Sequence, residues 1–186
     1  RYRRQYPWQV IDSASPMVFD KRGDHLEAGL RAAWKPAPWA ELIGGVSGAS
    51  NRAWVGPGAP PDLRGGRRRD DFKTAAAFAE VVLGGRIANA QAGARYEYHD
   101  VVGGAFVPRL AVTRVFGPVH AKLLYAEAFR TPGFGNLALA TDIQAEKTRV
   151  AEAEVGYRFD DRFSASANVF QIAIDRPIIY MSDPET

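Results

Sequence analysis

The sequence predicts an all-β chain: an antiparallel, up-and-down transmembrane β-barrel wall of about eight strands. Three observations carry that expectation. Apolar residues recur at every second position over stretches of roughly ten residues, longer than the five or six usual in a soluble sheet and long enough to cross a bilayer at a tilt. The connections alternate between tight turns and longer polar segments, as a barrel with one turn rim and one loop rim requires. The apolar positions hold mainly alanine along the stretches and aromatic rings towards their ends, as in a barrel wall with girdles at both interfaces.

The strands follow in order. Over residues 25–34, Leu26, Ala28, Leu30, Ala32 and Trp34 share one face, against Glu27, Gly29, Arg31 and Ala33 on the other. Residues 40–50 and 72–82 are the next two candidates. Residues 86–98 carry Ala88, Ala90, Ala92, Ala94, Tyr96 and Tyr98 opposite Asn89, Gln91, Gly93, Arg95 and Glu97. After 105–116 and 119–129, residues 147–159 repeat the pattern, with Ala151, Ala153, Val155, Tyr157 and Phe159 opposite Glu152, Glu154, Gly156 and Arg158. The last candidate, 163–175, alternates less regularly, and a bulge would account for that. Tight turns are expected at Lys35-Pro36-Ala37-Pro38, Leu83-Gly84-Gly85, Gly117-Pro118 and Asp160-Asp161-Arg162, where Gly, Pro and Asp set the backbone. Longer loops are expected over 51–71, 99–104 and 130–146, and a further loop over residues 1–12.

Composition excludes several classes. The 186 residues carry 24 Lys+Arg against 21 Asp+Glu, a net charge of +3, too small to argue for nucleic acid. Cysteine is absent, which excludes a disulfide scaffold and thiol chemistry. No nucleophile elbow, phosphate loop or dinucleotide fingerprint appears, so no enzyme and no cofactor is expected. His25, His99 and His120 are too scattered for a zinc site, so no metal is expected either. Neither Arg1 nor Thr186 reads as a natural terminus, so residues 1–186 are expected to be one part of a longer β-barrel domain. A soluble antiparallel sandwich would also alternate. Its inward face would carry bulkier side chains than these alanines, and the charges on the polar face need a wet lumen or full pairing.

An ordered series of short motifs narrows the reading. Gly93, Arg95 and Tyr96 open it, followed by Phe106 and Pro108-Arg109-Leu110. Ala128-Phe129-Arg130-Thr131-Pro132 comes next, with Asn136-Leu137 behind it. Then come Glu146-Lys147, Glu154-Val155-Gly156-Tyr157, Asn168-Val169-Phe170 and Ile174-Asp175. In order and spacing this series resembles the C-terminal barrel of TonB-dependent outer-membrane receptors, over residues 72–180 by motif and 24–50 by strand pattern alone. The resemblance implies a 22-stranded barrel closed by an N-terminal plug. It also implies the outer membrane of a Gram-negative cell and active import of a ferric siderophore or similar bulky chelate. TonB would act through an N-terminal region absent from this sequence, as are the plug and the terminal strand. A passive porin or a small structural barrel is the alternative.

Candidate contacts lie in the loops. Arg64, Arg67, Arg68 and Arg69 form a basic run suited to bidentate contact with carboxylates or phosphates, either of a ligand or of lipopolysaccharide. Arg3, Arg4, Tyr6 and Trp8 interleave cations with rings and suit an aromatic, anionic chelate. His99 falls at a predicted loop tip beside Asp100, where a surface role is the default and ligand contact the sharper reading. Glu152 and Glu154 sit side by side at strand spacing, about 7 Å apart, which suits lumenal charge rather than paired-acid chemistry. Pro132 reads as a structural exit from the strand before it.

Overall fold

Backbone alternation with no competing helical period gives one continuous meander. The computed structural model describes residues 1–10, 19–140 and 142–179, with the side chains of 6–10 and 19 left out of the description. Nine strands form: β1 (Tyr2–Val10), β2 (Phe19–Ala37), β3 (Ala40–Val55), β4 (Arg69–Gly84), β5 (Asn89–His99), β6 (Gly103–Phe116), β7 (Val119–Arg130), β8 (Glu146–Arg158) and β9 (Ser164–Asp175). Each pairs antiparallel with the next in a single sheet of order β1 to β9, open at both edges. One short helix, α1 (Phe134–Leu139), lies between β7 and β8.

All eight expected strands are present, and the ninth corrects the reading of residues 1–12. Tyr2–Val10 is a strand, not a loop, and pairs with the extended beginning of β2 from Tyr2↔Leu26 to Val10↔Phe19. A strand that rises past the apolar stretch needs no apolar face, because its backbone ladder holds it. Its charged residues therefore resemble a loop in sequence. The register shifts between Gln5 and Trp8, where Pro7 has no N–H to give. The same extension shortens the expected 51–71 loop to 56–68, since β3 and β4 pair up to Trp54↔Arg69. The 99–104 loop is a tight turn closed by His99↔Gly103. Two details at the strand ends also differ. β2 runs through Ala37, leaving Pro38 and Trp39 as the turn. The bulge expected in 163–175 is absent, and β9 pairs with β8 in unbroken register from Lys147↔Asp175 to Arg158↔Ser164. Its irregular sequence arises because the adjacent Val169 and Phe170 place large apolar groups on both faces.

The register separates two faces. On one, Leu30 is 78% exposed and Leu123 is 62% exposed, with no second sheet among the described residues to cover them. A sandwich would bury this face, so the sandwich reading fails. Aromatic rings mark both ends of the apolar face: Trp34, Trp39, Phe116, Tyr157, Phe159 and Phe163 towards the turns, and Tyr2, Tyr96, Tyr98, Phe106 and Tyr125 towards the loops. On the polar face, charges meet across the strands. Lys122 reaches Glu152 at 2.7 Å and His120 meets Glu154 at 3.0 Å, while along β5 Arg95 holds Glu97 at 2.7 Å. Asn168 donates to Glu152 at 2.8 Å and joins β9 to this network.

Gly156 has a packing role here. It sits directly opposite His120, and a Cβ at this position would run into the imidazole. Gly156→Val in the complete receptor is expected to displace His120 from Glu154 and cost about 1–3 kcal/mol, the usual range for overpacking. Thermal unfolding of the detergent-purified barrel checks this, and an unchanged midpoint would refute the packing role.

Candidate functional site

At the loop rim, the 56–68 connection folds over the polar face and builds a small core there. Ala53 and Val55 of β3 bury against Ala59 and Leu63 of the loop, with Phe134 of α1 packed on the cluster. The loop carries left-handed turns at Gly65 and Gly66, both at φ +67°, where a side chain would be strained. Arg68 donates through Nη1 to the carbonyls of Gly56 (2.6 Å) and Ala59 (2.8 Å). Arg64 donates to Asp70 at 2.8 Å, and Asp70 is buried. Lys21 of β2 holds Asp62 at 2.5 Å and fastens the loop from the other side.

A layer of rings lies beside this core. Phe72 of β4 contacts His99 of β5 at 4.5 Å and Phe134 at 4.6 Å between centroids. Pro132 and Leu137 are fully buried, so the chain from β7 is held on this face on both sides of Phe134. His99 is 1% exposed, not at a surface tip as its sequence context suggests. Its Nδ1 accepts the Val101 N–H at 3.1 Å, which leaves the proton on Nε2. That Nε2 is buried with no hydrogen-bond partner among the described residues. Burial lowers the His99 pKa below its ordinary value, and Asp100 and Glu97 offset part of the shift.

Between this layer and β1 lies a cleft of about 350 Å³, whose polar-face lining includes Gln5, Lys21, His25, Asn51, Phe72 and Phe134. His25 and Asn51 are cross-strand partners, with Nδ1 and Oδ1 at 2.7 Å. The cleft joins an aromatic wall to a rim of donors, which suits a ligand with flat and anionic parts.

The expected contact residues divide over this geometry. Arg3 faces the cleft side, opposite His25, and is exposed. Arg67 is exposed at the loop tip and makes no side-chain hydrogen bond or ion pair among the described residues. Arg64 and Arg68 hold the loop together, as above. Arg4 lies on the other face, donating to Asp24 at 3.0 Å, and this bond holds the Asp24 carboxyl below its usual range. Arg69 is also on that face, 5.8 Å over the Trp54 ring. The side chains of Tyr6 and Trp8, and residues 11 and 12 of the expected loop, lie outside the described residues.

The motif positions sit in the wall. Arg95 and Glu154 belong to the polar-face pairs, and Tyr96 lies on the apolar face over Gly104. Phe129 and Arg130 pair with Lys147 and Glu146, and the Tyr157 ring meets Phe159 edge-on at 4.8 Å. Lys21, His25, Asn51, Phe72 and Phe134 are cleft residues that loop-centred reasoning misses. Extending the two-residue period down from Glu27 through His25, Gly23 and Lys21 would have placed part of the set on one face.

A single meander with an apolar belt, a charge-paired polar face and loops folded over that face at one rim is the wall of an outer-membrane-type β-barrel. The chain belongs to the family described as TonB dependent receptor-like, beta-barrel, whose model matches residues 4–186. Its fold is similar to that of the ferric enterobactin receptor PfeA from Pseudomonas aeruginosa (a G324V mutant), at TM-score 0.73 and 16% identity over 83% of this chain and 27% of that one. The siderophore receptor PirA from the same species gives TM-score 0.70 at 15% identity, over 84% and 33% of the two chains. PirA from Acinetobacter baumannii gives 0.65 at 15%, over 93% and 31%. The chain therefore spans about a third or less of these receptors. No curated protein matches its sequence.

Proposed function

We propose that this chain is the wall and part of the loop rim of an outer-membrane receptor that imports a ferric siderophore or a similar bulky, anionic chelate, energised by TonB. The single observation that carries the reading is the cleft at the loop rim, where aromatic rings of β4 and α1 stand beside donors of β2 and β3. Membership of the TonB dependent receptor-like family and the likeness to two kinds of siderophore receptor support it. A chelate with aromatic groups and negative charge would stack on Phe72 and Phe134 and take hydrogen bonds from the polar wall. Arg3 and Arg67 add positive charge at the entrance without being tied down by carboxylates among the described residues. Loop capture would come first, and plug movement in the complete receptor would release the chelate inward.

Arg67→Ser tests the entrance charge, because it removes a cation and leaves the loop's own hydrogen bonds intact. The expected result in the complete receptor is a several-fold loss of affinity for a ferric catecholate, seen at low salt and shrinking at high salt. Unchanged affinity would refute the role. Arg68→Ser would mix this effect with loss of the Gly56 and Ala59 contacts, so it is the poorer test.

A further inference from the structure

We propose that β6 and β7 form a zipper at the loop rim, held open while α1 is docked and closed when α1 leaves the ring layer. The ladder between these two strands stops short. β6 pairs with β5 up to His99↔Gly103, and β7 pairs with β8 up to Arg130↔Glu146. Between β6 and β7 the last pair towards the loops is Arg109↔Ala126. Residues 103–108 and 127–130 therefore each have one strand edge with no ladder partner among the described residues. A cavity of about 490 Å³ lies at this split, lined by Phe106, Pro108, Glu127 and Phe129, with Gln144 and Arg176 from the adjoining connections.

The split lies where an open edge is tolerated. Phe106 and Tyr125 belong to the rings at the loop end of the belt, and the next outward side chains on β7 and β8 include Glu127, Lys147 and Arg149. Backbone groups at that level meet water and not hydrocarbon, so leaving the pairs unmade costs little. Pro108 stands at the branch point. The β5–β6 ladder passes it in unbroken register, whereas the β6–β7 ladder ends beside it. Proline has no N–H to give to a further pair, which weakens the closed state at its first step.

The sequence nevertheless fits closure. Continuing the register past Arg109↔Ala126 sets Pro108 opposite Glu127, Val107 opposite Ala128, Phe106 opposite Phe129 and Ala105 opposite Arg130. Phe106 and Phe129 would then form a cross-strand ring pair on the outward face, and no like charges would meet. In the open state Phe106 is instead 57% exposed. Closure adds pairs at the rim and leaves every existing ladder in place.

The segment between β7 and α1 explains why the split is open. Arg130 ends β7, and Phe134, four residues on, packs on Phe72 of β4. β4 and β7 are three strand spacings apart in the sheet, about 14 Å, which is close to the full reach of four residues. The segment has little slack, and Pro132 within it is fully buried. It draws the end of β7 towards the lumen and out of line with β6. Docked helix and closed ladder thus make opposite demands on residues 127–130, and whatever holds α1 on Phe72 biases the rim. A chelate seated in the cleft would hold the zipper open, and this last step alone rests on the function proposed above.

The chain has no cysteine, so the pair Val107→Cys, Ala128→Cys reports closure through a disulfide, which needs the two backbones within ladder distance. In the complete receptor in detergent, with diamide as oxidant, this pair is expected to crosslink about tenfold faster when Phe72→Ala releases α1 than when Phe72 is present. Ala111→Cys, Leu124→Cys, directly opposite within the existing ladder, is the control and should crosslink equally fast in both backgrounds. Equal rates for the seam pair in the two backgrounds, whether both fast or both slow, would overturn the proposal. Should Phe72→Ala fail to assemble, Leu137→Ser releases the helix in its place, with the same acceleration expected and its absence again overturning the zipper. A saturating ferric catecholate should slow the seam crosslink several-fold when Phe72 is present. Acceleration by Phe72→Ala without that slowing would support the zipper and refute the chelate reading.

Discussion

Phe72→Ala in the complete receptor is expected to undock α1 and to weaken chelate binding at the cleft by at least tenfold. Phe72 is the middle ring of a three-ring layer, 4.5 Å from His99 and 4.6 Å from Phe134. Removing a packed phenyl ring costs about 3 kcal/mol when the surroundings cannot collapse into the space. The backbone here resists collapse, because β3 pairs with β4 through Asn51↔Phe72 and the β4–β5 ladder begins two residues on, at Thr74↔His99. The loss therefore falls on the part that can move, the segment from Pro132 to Leu139. A local loss of about 3 kcal/mol corresponds to roughly 100-fold faster amide exchange in α1, with the strands unaffected. Phe72→Leu should retain most of the protection. Unchanged exchange in Phe72→Ala would show that Pro132 and Leu137 hold the segment without the ring layer, and the proposed aromatic wall would lose its anchor.

The division between what the sequence showed and what it hid follows the apolar belt. Within the belt, side-chain period and backbone period coincide, and residues 89–98 and 147–158 could be assigned to faces one by one, whereas 86–88, read as strand, belong to the turn before β5. Beyond the belt, β1 and the first part of β2 carry charged residues on both faces, and backbone pairing supplemented by polar contacts such as Arg4 to Asp24 holds them. Lys21 to Asp24 therefore fell outside the 25–34 strand read from the sequence, although its alternation continues that of 26–34 without a break. The candidate site suffered for the same reason. The basic run at 64–69 stood out as charge, but two of its four arginines are consumed in building the loop and one lies on the outward face. No local pattern reveals that Asp70, six residues on, is the partner of Arg64. The pairing of His25 with Asn51 and the stacking of Phe72 on Phe134 depend on register and on loop docking, which no period in the sequence records.

Protonating His99 is expected to loosen the same ring layer, from the other side. The buried ring is neutral, with its Nδ1 accepting from Val101 and its Nε2 enclosed without a partner among the described residues. Burial lowers its pKa below the ordinary 6.5, against the weaker upward pull of Asp100 and Glu97, while Arg64 pushes further down. The undocked ring, in water, titrates near its ordinary value. Between the two values the undocked form binds more protons, so docking falls as the pH falls. Its full stability is present above about pH 6.5 and decreases below that point until the docked ring also protonates. Amide exchange in α1 of the complete receptor, followed from pH 8 down to about 5 and corrected for intrinsic rates, should show this acceleration, whereas His99→Gln should give a flat profile. His99→Lys carries its charge across that whole range into a site with 1% exposure, where the Asp100 carboxylate, 3.7 Å from the ring, already accepts the Lys73 N–H. It should undock α1 even at pH 8, by several kcal/mol, because an unpaired buried charge costs more than the packing it replaces. If His99→Lys protects α1 as well as the wild type, the ring is not part of what holds the helix. The layer would then reduce to the contact between Phe72 and Phe134.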